Sequence, residues 1–285
     1  MPDAPSRLSR PVVLAGTALV MMAFAANSVL ARLALLATEV DAATFAAVRL
    51  GAGALVLGAI ARLRRGGRGG SWASATALFA YAAAFSFAYL SLATGTGALL
   101  LFGAVQITMI GAGLAAGERL TGVQGAGLVA ALAGLVVLVA PGVEAPPLGG
   151  AALMAASGVA WGVYSLRGRR AGDPVAASAG NFWRAALLGV GLGGVVWVSG
   201  GALRPDPVGV GYAVLSGGVT SGLGYVAWYA VLPALRATSA ATVQLSVPVL
   251  AALGGVAFVA EPITLRLGVA SAVTLGGIAL VLRSR

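Results

Sequence analysis

The 285-residue chain contains no cysteine and no histidine, and all 18 of its positive charges are arginine, so lysine is missing as well. Each absence excludes something. Without cysteine there is no disulfide and no thiolate metal site. Without histidine or lysine the usual side-chain bases and the Schiff-base nucleophile are gone. Charge is scarce too: 9% of residues are charged and 59% are apolar, with a mean hydropathy of +0.97. That balance is foreign to a water-soluble domain. The eight acids are Asp3, Glu39, Asp41, Glu118, Glu144, Asp173, Asp206 and Glu261, and each falls at the end of an apolar run or in a link. With no His, Cys or Lys and no embedded carboxylate, ordinary acid-base and metal chemistry is poorly supported in this chain. It is read as no enzyme, with no cofactor and no metal.

What is present is a series of apolar runs, each near the roughly 20 residues that cross a bilayer. Ten are expected: Pro11–Ala37, Ala42–Ala61, Ala73–Ala93, Gly97–Ala116, Gly122–Ala140, Leu148–Leu166, Val175–Val198, Val208–Leu232, Ala237–Val259 and Leu265–Leu282. The links are short and rich in Gly, Pro, Asp and Arg, which break helices. The predicted fold is an all-α membrane protein. Arg7 and Arg10 before an apolar run and Ala23-Phe24-Ala25 imitate a cleavable signal. The run continues past that point, so the first span is expected to be retained.

The net charge of +10 does not argue for nucleic acid, because the arginines cluster in the gaps between runs. With the N-terminus inside, 13 arginines fall in inner segments, and only Arg204 and Arg266 in outer loops. By the positive-inside rule both termini are cytoplasmic.

Sliding the chain by 143 residues sets Leu92, Ala98, Gly111, Glu118, Thr121 and Gly134 over Leu235, Ala241, Gly254, Glu261, Thr264 and Gly277. Residues 1–142 and 143–285 then form two repeats of five spans each. Five is odd, so the second repeat enters the membrane from the opposite side. Inverted-topology repeats are an architecture of secondary transporters, with the substrate site near the midplane.

The candidate site residues are polar or aromatic groups inside spans. Asn27, Gln106, Asn181 and Gln244 are amides that need partners in lipid, whether another helix or a ligand. Tyr81, Phe85 and Tyr89 are four apart on one helix face. Ser157, Trp161 and Tyr164 share a second face, and Ser221, Tyr225 and Trp228 a third. Packing or an interfacial aromatic belt is the plain alternative. Four amides and no embedded acid favour a neutral or zwitterionic solute and transport without an obligatory proton relay. Arg32 and Arg49 are expected to pair with a link carboxylate such as Asp41 or to bond helix-end carbonyls. Arg184, on one face with Asn181, is open as a partner of a substrate carboxylate. Pro248 interrupts span nine and frees the carbonyl of Gln244, so Pro248, with Gly95 and Gly97 in Thr94-Gly95-Thr96-Gly97, is a hinge or gating candidate.

GERLTGVQGAGLVAALAGLVVLV and AEPITLRLGVASAVTLGGIALVL resemble the paired repeat ends of EamA-type carriers of the drug/metabolite transporter superfamily. FAANSVLAR and WGVYSLRGR resemble the repeat starts, and LATGTGALL and LRATSAATV the fourth-span entries. Within the superfamily the chain most resembles the YddG-type exporters of aromatic and other amino acids. The resemblance implies ten helices and a cavity lined by helices one, three, four, six, eight and nine. It thereby selects Asn27, Tyr81, Phe85, Tyr89, Gln106, Trp161, Tyr164, Trp228 and Gln244 as substrate-binding residues. It also implies an amino-acid exporter of the bacterial inner membrane, in contact with a small-molecule solute and the lipid bilayer, with no oligomer required. An EamA-type exporter of another metabolite or drug is the alternative. A structural membrane subunit with every amide bonded to a neighbouring helix is the distant one.

Overall fold

The computed structural model describes residues 9–65, 69–117, 119–168, 171–235 and 237–283. Asp3, Glu118, Arg7, Arg68, Arg169, Arg170, Arg236 and Arg285, all used in reading the sequence, lie outside them. Among the described residues every regular element is a helix. The first seven are α1 (Arg10–Ala37), α2 (Ala42–Leu63), α3 (Trp72–Ala88), α4 (Thr94–Ala115), α5 (Gly122–Val139), α6 (Leu148–Gly168) and α7 (Pro174–Val198). A rod then runs through α8 (Pro207–Val214), a π-helical stretch (Leu215–Leu223) and α9 (Gly224–Val231). After it come α10 (Ala237–Gln244), α11 (Ser246–Val259) and α12 (Leu265–Arg283). Among the described residues seven stretches are long and apolar enough to cross a membrane, and α3 is a shorter apolar helix.

The link acids account for several helix starts. Asp41 accepts from the Thr44 N–H, Asp173 from Val175 and Ala176, and Asp206 from Gly209. Each thereby satisfies a backbone donor that a helix N-terminus leaves open. Pro174 and Pro207 follow at the first helical position, where a missing N–H costs nothing. Thr121 and Gln124 close a reciprocal capping box on α5.

Several expected spans differ in detail: the fourth begins at Thr94 rather than Gly97, and the eighth carries the π-helical stretch. The third ends at Ala88 rather than Ala93, because Leu90 and Ser91 turn tightly back onto Phe87 and Ala88. The ninth is two helices rather than one. Its ladder breaks at Leu245, whose N–H reaches Thr242 instead, three residues before the proline that cannot bond Gln244.

Small residues set how closely the helices approach. α2 packs on α7, α5 on α12, α4 on α11, α6 on both α3 and α4, and α1 on α11 and on the Pro207–Val231 rod. At the α5–α12 crossing a side chain on Gly134 would collide with Thr274, and one on Gly277 with Gly127 and Ala131. Large apolar residues such as Leu55, Val136 and Phe258 face outward and exposed, a surface suited to lipid.

Candidate functional site

A small cavity lies between the helices at the centre of the bundle. It is lined by Phe24, Asn27 and Ser28 from α1, Tyr81 and Phe85 from α3, Leu101 and Phe102 from α4, Trp161 from α6 and Tyr225 from α9. Its volume is ≈ 20 Å³, room for about one water. Aromatic rings form most of the wall. Trp161 meets Tyr81 at 4.8 Å between centroids and Tyr225 at 5.4 Å. Phe24 packs edge-on to Tyr225 at 6.1 Å and to Trp228 at 6.2 Å. Ser157, one helical turn before Trp161, donates to the Tyr81 carbonyl at 2.9 Å and ties α6 to α3.

Asn27 joins this wall to the π-helical stretch. Its Oδ1 accepts from Ser216 at 2.8 Å, from Thr220 at 2.6 Å and, more weakly, from Ser221 at 3.4 Å. The wider turn of a π-helix, seen often at functional sites, brings three hydroxyls onto one amide oxygen. Gly217 within it lies directly against the backbone of Arg49 on α2, with no space for a side chain.

Arg49 is 2% exposed. Its Nη2 donates to the Tyr81 hydroxyl at 2.6 Å. Its guanidinium lies 4.6 Å from the Phe85 centroid and 5.1 Å from that of Tyr81. Its Nη1 has no hydrogen-bond partner. The expected link carboxylate is therefore not its partner: Asp41 is used up at its own helix start and in bonds to Thr44 and the Arg204 N–H.

Arg32 does pair with a link carboxylate. Its Nε donates to Glu261 Oε1 at 2.8 Å, and its Nη1 to the Tyr89 carbonyl at 3.0 Å. The other carboxylate oxygen of Glu261 accepts from the Thr94 N–H at 2.7 Å, at the first residue of α4. One carboxylate thus spans α1, the α3–α4 corner and the α11–α12 link. A left-handed Ala260 turns it inward. Beside this corner opens a pocket of ≈ 230 Å³, lined by Leu92, Gly95, Glu144, Ala252, Glu261 and Leu267 among others. Along α3 the order is cavity (Tyr81, Phe85), Tyr89, then this outer pocket, so Tyr89 and the ion pair stand between the two spaces.

Of the residues expected at the site, Asn27, Tyr81, Phe85 and Trp161 line the cavity, and five do not. Tyr89 is fully buried at the corner, its hydroxyl on the Thr94 carbonyl at 3.3 Å. Tyr164 stacks on Trp161 at 5.3 Å but turns its hydroxyl to Ser178 of α7. Trp228 lies behind Phe24. Gln106 is buried about one turn past Phe102. Gln244 bonds back to the Ala240 carbonyl at 3.2 Å, and Ser246 to that of Val243 at 2.7 Å. Those bonds hold the Gln244 amide and the Ser246 hydroxyl to carbonyls of the preceding turn. Gly95 sits against Ala252 and Leu267, and Gly97 against the Tyr89 ring. Asn181 and Arg184 brace a link instead of a ligand: Asn181 accepts from Ser71 N–H at 2.8 Å, and Arg184 donates to the Gly180 and Gly69 carbonyls.

The lining residues absent from the expected set are Phe24, Ser28, Leu101, Phe102 and Tyr225. Tyr225 was legible in its stripe with Ser221, and Phe24 and Ser28 lie in the FAANSVLAR repeat start. Leu101 and Phe102 carry no signal in an apolar helix.

Known proteins bear on this geometry. A crystal structure of a protein superposes with a TM-score of 0.66 over 96% of this chain and 98% of its own, at 21% identity, a likeness of fold alone. The uncharacterised protein PA1977 of Pseudomonas aeruginosa is 55% identical over 273 residues, covering 94% of each chain. Residues 148–283 match the EamA-like transporter family. Over residues 148–283 the chain carries an EamA-like transporter domain, and with seven membrane-length apolar stretches among the described residues it is a multi-pass membrane protein.

Proposed function

We propose that this chain exports amino acids, aromatic and other neutral ones, and related small metabolites across the bacterial inner membrane by alternating access. The observation that carries the reading is the central cavity: it is buried, walled by aromatic rings, and has one amide, Asn27, anchored to a π-helical stretch. Flat apolar surface with a few fixed polar groups suits a small amphiphilic solute. The resting volume of ≈ 20 Å³ fits a contracted state of a cycle that widens to admit it.

Ten spans in two inverted repeats fit the packing. Matching the two halves pairs α1 with α6 and α3 with the Pro207–Val231 rod. The contact of α3 with α6 then has its counterpart in that of the rod with α1, and both exist. The α2–α7, α4–α11 and α5–α12 contacts map onto themselves. Gly134 against Thr274 and Gly277 against Ala131 are the same contact seen from each side, because 131 and 134 correspond to 274 and 277. Arginine placement puts both termini in the cytoplasm and the Arg32–Glu261 corner outside. Gly95, Gly97 and Pro248 are the hinge candidates. The lining has no carboxylate among the described residues, which favours facilitated movement without a proton relay.

The test is uptake of several labelled amino acids into protein-only liposomes, with and without a pH gradient. Saturable uptake unaffected by the gradient is expected. Uptake strictly dependent on it would remove the facilitative reading, and no uptake of any amino acid would remove the solute class.

A further inference from the structure

We propose that Arg49 is an anion-recognition residue of the central cavity, holding the carboxylate of the solute jointly with the Tyr81 hydroxyl. The inference rests on the cavity being the solute site, and it names the chemical group that site selects.

A buried guanidinium in a membrane protein is costly unless its charge is compensated and its donors are used. Arg49 has neither condition met. The ion pairs formed among the described residues are Arg32–Glu261 and Arg204–Glu39, so no described carboxylate reaches Arg49. Its Nη1 is buried without an acceptor. Facing Phe85 and Tyr81 offsets part of the cost through cation–π attraction, but rings accept little from a second N–H. Two other arginines within helices, Arg32 and Arg184, differ: Arg32 spends donors on Glu261 and the Tyr89 carbonyl, and Arg184 on the Gly180 carbonyl of its own helix and the Gly69 carbonyl of a link.

The position matters as much as the deficit. Tyr81 and Phe85, the two rings on which the guanidinium rests, are both cavity walls. The Tyr81 oxygen accepts from Arg49, so its own proton is available to a further acceptor. Arg49 does not itself line the cavity, so a solute oxygen beside Tyr81 would meet that O–H, with the guanidinium and its unpartnered Nη1 next to the same ring. Two donors and one uncompensated positive charge are what a carboxylate requires. Phe24, Trp161 and Tyr225 remain for a flat apolar body. The class is a small carboxylate-bearing solute, whether an amino acid or an organic acid without an amine.

The experiment uses the full chain. Phenylalanine, phenylpropionate and phenethylamine share a ring, and only the first two carry a carboxylate. Transport is measured in liposomes, and binding in detergent by quenching of tryptophan fluorescence, for the native chain and for Arg49→Gln, Arg49→Lys and Tyr81→Phe. Native protein is expected to bind both carboxylates and not the amine. Equal handling of phenylpropionate and phenylalanine would identify the carboxylate alone as the determinant, and preference for phenylalanine an added ammonium contact. Arg49→Gln is expected to weaken the carboxylates by about 30-fold or more, as removing one partner of a buried charge pair does, bringing them toward the unbound level of phenethylamine. Arg49→Lys should restore part of the affinity. Tyr81→Phe, which keeps Arg49 and its ring contacts, should weaken the carboxylates by a smaller factor. If Arg49→Gln does not fold, native discrimination and Tyr81→Phe decide. Binding of phenethylamine as tight as that of phenylalanine, or variants indistinguishable from native, overturns the assignment and leaves transport standing. Carboxylate-selective binding without transport keeps the site and removes the transporter reading, and no binding by any probe removes both.

Discussion

Glu261→Gln is the sharpest perturbation of the corner between the outer pocket and the cavity. The two side chains of the ion pair are only 14% and 13% exposed, at 2.8 Å. Removing one member of a largely buried pair leaves the other charge stranded, typically at a cost of 3–5 kcal/mol. The carboxylate also faces the N-terminus of α4 through the Thr94 N–H, where a negative charge adds about 0.3–1 kcal/mol. Glutamine keeps the shape and one hydrogen bond to Thr94, so the lower end, about 3 kcal/mol, is the fair figure for the corner. If the corner exists only while the outer side is shut, that loss shifts the ratio of shut to open by about two powers of ten.

The cysteine-free sequence makes the assay clean. Thr94 is fully buried at the corner and its hydroxyl has no partner, so Thr94→Cys places a single thiol there at little cost. Labelling by a membrane-impermeant maleimide is expected to be slow in the native background and faster by at least about tenfold with Glu261→Gln. Arg32→Gln with Glu261→Gln should cost less than either alone, because no charge is left stranded. Equal labelling rates with and without Glu261→Gln, together with unchanged melting, would refute the claim that this pair holds the corner shut.

The remaining predictions concern packing, pH and the hinge. Gly134→Ala drives a methyl into Thr274 and should lower the melting temperature, overpacking costing about 1–3 kcal/mol, whereas Gly125→Ala meets open space and should gain about 0.5–1 kcal/mol. Both are read as unfolding temperature in detergent. Burial raises the pKa of Asp41, but bonds from the Thr44 hydroxyl, the Arg204 N–H and the Thr44 and Ala43 amides outweigh it and hold the carboxyl below its ordinary 3.8. Its stabilising effect is full above pH 3.8 and fades as pH falls through the lower folded value, so Asp41→Asn should flatten the acid limb of a stability–pH curve. Pro248→Ala should restore the ladder across Leu245 and change the rate of transport more than binding; equal loss of both would count against a hinge.

Helix positions were legible because apolar length and caps are local properties. Asp41, Asp173, Asp206 and Thr121 announce the starts that the structure shows them making. The aromatic wall was partly legible, since a four-residue spacing fixes a face and Tyr81, Phe85 and Trp161 do meet. What a face looks toward is a property of the neighbouring helices, and there spacing was silent. Tyr164 and Tyr89 share faces with wall residues yet turn their hydroxyls elsewhere, and Gln244 finds its partner in its own helix. The π-helical stretch had no advance signal beyond its Ser, Thr and Gly content.

The arginines show why partners resist prediction more than positions do. The rule that a buried charge must be neutralised states a requirement and not an address. For Arg32 the address is a link carboxylate 229 positions along the chain, within the class expected. For Arg184 it is the Gly180 carbonyl one turn back in α7 and the Gly69 carbonyl of a link. The same rule applied to Arg49 returns no carboxylate among the described residues, although the residue is the most deeply buried of the three. Burying a cation without its counter-charge makes physical sense where the counter-charge arrives from outside. Its guanidinium rests on Tyr81 and Phe85, two of the rings that wall the cavity, so an anion brought into that space would come next to it.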